Sequence, residues 1–147
     1  MGVSGFDDLP AWAANLIGTA RVARLGLLDE GGHPRVLPIT FAFAHGRIWS
    51  AVDEKPKAEP GKDLARVRFL RRDPRAAITV DRYSDDWRRL AWVQLLGTAR
   101  VVEAHDAPDG LERLVAKYRQ YAESPPPGPL IALEPERCLF WRASAGD

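Results

Sequence analysis

The feature that most constrains this chain is a series of short β-type segments separated by glycine turns. Residues 21–25, 34–44 and 47–52 carry the aliphatic, β-branched and aromatic side chains that are typical of strands. Glycine-containing turns at residues 31–32 and 45–46 separate these segments. Because tight turns join antiparallel neighbours, the pattern predicts a three-stranded antiparallel meander.

The rest of the chain supplies further strands. Residues 76–83 and 90–103 have the same β-type composition, and the second segment is long enough to need a bend, which is predicted at Gly97. Residues 130–134 and 138–142 are short apolar segments. They are predicted to be two separate strands that close the sheet.

Three segments have the apolar spacing of helices. Residues 9–17 predict an amphipathic N-terminal helix, and residues 64–70 predict a short helix that ends before Pro74. A third helix is predicted to begin with Asp106 as its cap and to bury a stripe that reaches Tyr118. Together these elements predict a mainly β fold, an antiparallel β-barrel with flanking helices, in a single domain over the whole chain.

Composition and charge argue against several function classes. The 147 residues include 21 basic and 20 acidic side chains, which leave a net charge of +1. This balance argues against a nucleic acid or an anionic membrane as partner. The single cysteine, Cys138, cannot form an internal disulfide, and the N-terminus has no pattern of a signal peptide or a membrane span. A cytoplasmic protein is therefore expected.

The chain also lacks the common catalytic and nucleotide-binding motifs. It contains no GxGxxG, no P-loop, no GxSxG and no HExxH, so Rossmann-type nucleotide binding is not expected. Its histidines, His33, His45 and His105, are not at the spacing of metal ligands. No catalytic residue and no metal ligand is therefore assigned.

One loop has a composition suited to an anion. Lys55, Pro56 and Lys57 directly follow a predicted strand, and the proline stiffens a loop that holds two ammonium groups close together. Lysine suits phosphate as a compact point charge, and a stiff loop loses little entropy on binding. The alternative is an ordinary solvated loop.

Two tryptophans lie in or just after the polar turn that follows residue 83. Trp87 lies in the turn itself, where exposure favours a contact with a ligand or a partner subunit. Trp92 lies inside a predicted strand, where core packing and a role in the site are equally compatible with the sequence.

Residues 23–28, 32–41 and 70–75 resemble the pyridoxamine-5'-phosphate-oxidase-like FMN-binding split barrel family, and the resemblance extends over nearly the whole chain. It implies a split β-barrel. The chain ends without the arginine-rich substrate motif of true pyridoxamine phosphate oxidases, so oxidation of vitamin B6 is not expected.

Residues 51–57, 81–87 and 90–93 are similar to the actinobacterial deazaflavin-dependent oxidoreductase branch of that family. In such proteins the cofactor lies across the dimer interface, with its ring against the second and third strands and its phosphate on the following loop. The cofactor-binding residues that the resemblance implies are Val36, Pro38, Ile39, Thr40, Ser50, Ala51, Val52, Lys55, Pro56 and Lys57.

The implied function is hydride transfer between the reduced deazaflavin coenzyme F420 and a small organic substrate, with the chemistry supplied by the cofactor. An FMN-dependent oxidase or reductase of the same family is the alternative. A non-catalytic carrier or storage protein for F420 would show the same lack of a catalytic dyad. A homodimer is expected because a half-open barrel leaves apolar strand faces exposed.

Overall fold

The computed structural model describes residues 1–52 and 65–144. The strands are β1 (Gly2–Val3), β2 (Ala23–Leu28), β3 (Pro34–Ile39), β4 (Ala42–Ala44), β5 (Arg47–Ala51), β6 (Arg75–Arg82), β7 (Ala91–Val102) and β8 (Leu130–Arg142). The α-helices are α1 (Ala11–Thr19), α2 (Ala65–Arg72), α3 (Pro108–Lys117) and α4 (Arg119–Glu123). Among these helices, none has the length and hydropathy needed to cross a membrane.

The described strands form one curled antiparallel sheet. Its order is β3-β2-β6-β7-β8-β5-β4, and β1 pairs with β8 beside this path. The two strands at the ends of this order, β3 and β4, are consecutive in the chain and separated only by Thr40 and Phe41. The sheet must therefore curl until its ends approach each other, and this confirms the mainly β, split-barrel fold with flanking helices.

The predicted three-stranded meander is wrong in its middle strand. Residues 34–44 form two strands, because the chain bends at Thr40 and Phe41. β3 pairs with β2, whereas β4 pairs with β5, which then pairs with β8. The second turn is a tight hairpin as predicted, and His45 and Gly46 have the positive φ values, 52° and 73°, that a two-residue hairpin turn requires.

The longest strand pair, β7 with β8, contains a bulge at the predicted bend. Leu96 pairs with Arg137 and Gly97 pairs with Pro135, so Glu136 is the extra residue on β8. A side chain at position 97 would collide with the carbonyl oxygen of Glu134, which explains the glycine. The two predicted C-terminal strands are in fact the single strand β8, because the bulge accommodates Pro135 between them.

α1 and α3 pack on opposite faces of the sheet, since the neighbouring β5 residues Ile48 and Trp49 belong to different cores. α1 buries Ala13, Leu16 and Ile17 in the main core. α3 packs on β4 and β5 and closes a second core around Trp49 and Leu114. The predicted Asp106 cap is wrong, because a short 3-10 turn over Ala104–Asp106 precedes α3, and no side chain caps it.

The contact between α3 and β5 leads to a stability prediction. A methyl group at Gly110 would collide with the indole of Trp49, which is buried and donates its Nε1–H to the carbonyl of Ala44 at 3.0 Å. We expect Gly110→Ala to lower the free energy of unfolding by about 1–3 kcal/mol, the usual cost of overpacking. Urea denaturation measures this.

Gly18 of α1 is the matched control, since a Cβ there meets no atom within 4 Å. Gly18→Ala should leave the protein as stable as the wild type or raise its stability by up to about 1 kcal/mol, because alanine is the better helix former. Equal stability of the two variants would contradict the predicted clash.

Candidate functional site

The free edge of β3 is the first part of the candidate site. The N–H of Asp29 donates to the carbonyl of His33 at 3.0 Å, and the register of β2 with β3 continues from this pair without a shift. Because hydrogen-bonded pairs alternate along an antiparallel ladder, the backbone groups of Pro34, Val36 and Pro38 point away from β2. No other described strand pairs with this edge.

Val36 is therefore the residue of this edge that offers a ligand both a donor and an acceptor. Its flanking residues Pro34 and Pro38 offer only carbonyl oxygens, since proline has no N–H. The Val36 side chain is 67% exposed. Prolines on an edge also disfavour pairing with a foreign strand, so the edge remains open to a small molecule.

The polar groups at the end of β3 are occupied within the protein. Thr40 shares a hydrogen bond of 2.7 Å with the hydroxyl of Tyr121, and its carbonyl accepts from the Ser50 hydroxyl at 2.7 Å. Ile39, Ser50, Ala51 and Val52 are buried. A ligand could reach these four residues only through their backbone, in contrast to the exposed Val36 and Pro38.

A cationic cavity lies between β3 and α2. It has a volume of ≈ 190 Å³ and is lined by Arg35, Leu37, Ala65, Arg66 and Phe69. The Arg35 guanidinium lies 5.9 Å from the centre of the Phe69 ring and 3.7 Å from the Asp29 carboxylate. Arg66 has no hydrogen bond or ion pair with any residue that the structure describes.

The segment that joins β5 to α2 precedes Ala65 in the chain, and Ala65 is one of the residues that line this cavity. Lys55, Pro56 and Lys57, the predicted phosphate loop, lie in that segment and outside the described residues. Sequence reasoning missed Arg35 and Arg66. The available signal was their position, since Arg35 lies on the predicted cofactor strand and Arg66 lies in the helix predicted after the lysine loop.

The outer face of the sheet carries exposed aromatic side chains. Trp92 of β7 and Trp141 of β8 are directly opposite each other in the ladder and are 37% and 45% exposed. This placement excludes the core-packing alternative for Trp92. Trp87 is 69% exposed in the 3-10 turn before β7. The sequence analysis missed Trp141. Its position opposite Trp92 depends on the register of β7 with β8, which the bulge at Gly97 sets.

The same face has an apolar groove at its other side. Gly26, Val36 and Ala77 occupy neighbouring positions on β2, β3 and β6, and their small or short side chains leave a groove of ≈ 340 Å³. Arg35 and Arg75 also line it. Arg75 is held by a bidentate contact with Asp73, at 3.0 and 2.6 Å, which lowers the pKa of that carboxyl to about 2.

The described residues contain no group of three or more acidic, histidine or cysteine side chains placed to hold a metal. Each of the three histidines lies beside an aspartate: His33 by Asp29, His45 by Asp109 and His105 by Asp106. The open edge of β3 at Val36 and the cationic cavity beside β3 are suited to a planar, hydrogen-bonding ring with an attached anion.

Comparison with known proteins identifies the family of this chain. The pyridoxamine 5'-phosphate oxidase family matches residues 9–142, which is most of the chain. The chain belongs to this family.

Solved structures of other proteins share the family fold. The conserved hypothetical protein Rv2991 of Mycobacterium tuberculosis is 19% identical, with a TM-score of 0.74 over 92% of this chain and 85% of that one. An FAD-binding protein of Mesorhizobium loti is 16% identical, with a TM-score of 0.61 over 95% and 99% of the two chains.

A third similar structure is a Clostridium acetobutylicum protein of the pyridoxine-phosphate oxidase family, related to a general stress protein. It is 14% identical, with a TM-score of 0.64 over 89% of this chain and 86% of that one. At these identities the similarity establishes the fold of this pyridoxamine 5'-phosphate oxidase family member and leaves its ligand to be argued from its own residues.

The Thr40–Tyr121 hydrogen bond leads to a prediction about this part of the site. Tyr121→Phe removes the hydroxyl from a partly buried bond. We expect it to lower the free energy of unfolding by about 0.5–1.5 kcal/mol. Tyr83→Phe is the control, because its hydroxyl bonds an exposed carboxylate and its loss should change stability by less than about 0.5 kcal/mol. Indistinguishable urea midpoints for the two variants would contradict the prediction.

Proposed function

We propose that this chain is an oxidoreductase that binds a flavin-type cofactor at a homodimer interface, with coenzyme F420 as the preferred cofactor. The observation that carries the proposal is the free backbone edge of β3 at Val36, beside a cationic cavity. The family assignment supports a cofactor of the flavin class. The motifs at residues 51–57, 81–87 and 90–93 support the deazaflavin within this class.

The edge of β3 suits the ring of such a cofactor. Flavins and deazaflavins share a pyrimidine-dione edge that presents carbonyl acceptors beside an N–H donor. The Val36 N–H and carbonyl can pair with one acceptor and one donor of that edge. A strand backbone fixed by β2 supplies these groups without any ordering cost on binding.

The cationic side chains nearby suit the phosphate. Arg35 and Arg66 line the cavity next to β3, and Lys55 and Lys57 lie in the segment between β5 and α2. A site of this kind holds an anion by charge and by hydrogen bonds to ionised donors. Because FMN and F420 both carry a phosphate, this part of the site does not distinguish them.

A second copy of the chain would cover the outer face of the sheet. Trp92 and Trp141 are exposed on this face, and the apolar groove at Gly26 and Ala77 lies at its other side. Aromatic side chains are typical of interface centres. A two-fold interface would bury these residues on both chains and shield the cofactor ring from water.

The reduced cofactor would supply a two-electron hydride. The residues of this chain would bind the ring through Val36, hold the phosphate through cationic side chains and orient the substrate against an apolar, water-poor surface. Because the cofactor would supply the chemistry, such a protein needs no acid or base, and none is assigned in this chain. An F420 carrier would have the same features, and the FAD-binding relative favours FMN or FAD as the alternative.

Cofactor titration tests the proposal. Purified chain is titrated with F420, FMN and FAD, and cofactor fluorescence is followed. We expect the tightest binding for F420, with a dissociation constant in the micromolar range, which corresponds to about −8 kcal/mol. Tight FMN binding without F420 binding would replace the deazaflavin assignment. Oxidation of bound reduced F420 by a panel of enones and quinones separates an enzyme from a carrier, which would leave the cofactor reduced.

Replacement of Lys57 tests the phosphate loop. We expect Lys57→Ala to weaken cofactor binding by about 1.5–3 kcal/mol, the usual range for a hydrogen bond to a charged group. Lys55→Ala should have a smaller effect. A phosphate-free deazaflavin fragment should bind the wild type and the Lys57→Ala variant equally. Unchanged affinity for the whole cofactor would mean that this loop is solvated.

Light scattering tests the dimer. The wild type should have twice the mass of the chain at micromolar concentration. Trp92→Glu should place two carboxylates in the interface and raise the dimer dissociation constant at least about thirtyfold, the effect of losing an interface hot spot. Gln120→Glu, on the exposed surface of α4, is the control. A monomeric wild type that still binds the cofactor would refute the shared site.

A further inference from the structure

A second cationic pocket lies away from the β3 edge. It is formed by the last turn of α1, by β4 and by α3, and it has a volume of ≈ 260 Å³. Its lining residues are Gly18, Ala42, Phe43, Arg113, Ala116 and Lys117. None of them belongs to the proposed cofactor site. The pocket is therefore a separate feature of the fold.

Lys117 is held at this pocket in an unusual environment for a lysine. Its side chain is half-buried, with Nζ 3.8 Å from the centre of the Phe41 ring, and it donates to the Phe41 carbonyl at 2.9 Å. Burial, together with repulsion from Arg21, lowers the pKa of Lys117 to about 8. An ammonium has three donors, and the structure describes a partner for one of them.

The positive charge here has no carboxylate partner among residues 1–52 and 65–144. Arg113 and Lys117 make no ion pair, and Arg21 donates to a carbonyl, that of Lys117, at 3.0 Å. The C-terminal end of the α3 dipole favours a cation at Lys117. It does not account for Arg113, which lies one turn earlier at the same pocket.

We propose that this pocket binds a small organic anion, a carboxylate that carries a short aromatic or aliphatic group. Lys117 and Arg113 bind the carboxylate, and Ala42, Phe43 and Ala116 contact the apolar group. A cavity of roughly 150 Å³ holds a benzene molecule, so this pocket has room for one ring and a carboxylate. An inorganic anion would leave the apolar lining without a partner.

Benzoate is the probe, with benzamide as its neutral analogue and inorganic phosphate as the anion without an apolar group. Isothermal titration calorimetry on the purified full chain, with no flavin added, measures binding. We expect benzoate to bind at about millimolar concentration or below. Benzamide and phosphate should each bind about tenfold more weakly or not at all.

Variants locate the binding. Lys117→Met should weaken benzoate binding about tenfold or more, as the loss of a charged hydrogen bond does, and Arg113→Gln should weaken it less. Gly18→Leu should fill part of the pocket, and its side chain can leave the backbone freely, since a Cβ at Gly18 meets no atom within 4 Å. The exposed Arg100→Gln is the control and should bind as the wild type does.

The blocking variant keeps the test decisive even if Lys117→Met fails to fold, because Gly18→Leu leaves every charge in place. Equal binding of benzoate and benzamide would overturn the proposal. So would undiminished benzoate binding by Gly18→Leu, or no benzoate binding to the wild type at about 20 mM. None of these results depends on whether the chain binds a flavin-type cofactor.

Discussion

The two-residue break between β3 and β4 is the constraint on which the rest of the structure depends. At this break the Tyr118 hydroxyl accepts the N–H of Phe41 at 3.0 Å, and it lies 2.8 Å from the Arg21 carbonyl and 3.0 Å from the Phe41 carbonyl. Its single proton can serve one of these carbonyls at a time. Burial raises the pKa of Tyr118, so the phenol remains a neutral donor over the physiological pH range.

The break determines what each side of the barrel can do. Because β4 leaves the direction of β3 at Thr40, β3 is left with one partner, β2, and its other edge is open at Val36. β4 and β5 are carried to the far end of the sheet, where α3 and its pocket cover them. The end of α3, the start of α4 and the residue between them hold the break, since Lys117, Tyr121 and Tyr118 all bond to Thr40 or Phe41.

Local sequence patterns predicted the elements better than their connections. The hairpin turns, α1, α2 and the bend at Gly97 follow from residues that are near one another in the chain. The break at Thr40 does not, because residues 34–44 are β-compatible throughout and the hydroxyls that stabilise the break come from residues 118 and 121. The continuity of β8 was missed for a similar reason, since it depends on the bulge that pairs Pro135 with Gly97 of another strand.

In the candidate site too, the sequence predicted some residues and missed others. Val36 and Pro38 were identified through a resemblance. The structure adds the reason why their backbone groups are open to a ligand, which is the alternation of hydrogen-bonded pairs along the β2–β3 ladder. Arg35, Arg66 and Trp141 were missed because their proximity to the site depends on the curl of the sheet and on α2, which a one-dimensional pattern does not contain.

Lys117 shows how the break and the second pocket are connected energetically. Its folded-state pKa of about 8 is below the ordinary value of 10.5, so the unfolded chain holds this proton more tightly than the folded one. Stability therefore increases as pH rises from about 8 towards 10.5, and at neutral pH the fold carries the cost of a charged, half-buried amine. A methionine or leucine could pack on Phe41 without that cost. The charge therefore needs a reason beyond packing, and the Phe41 carbonyl uses only one of its three donors.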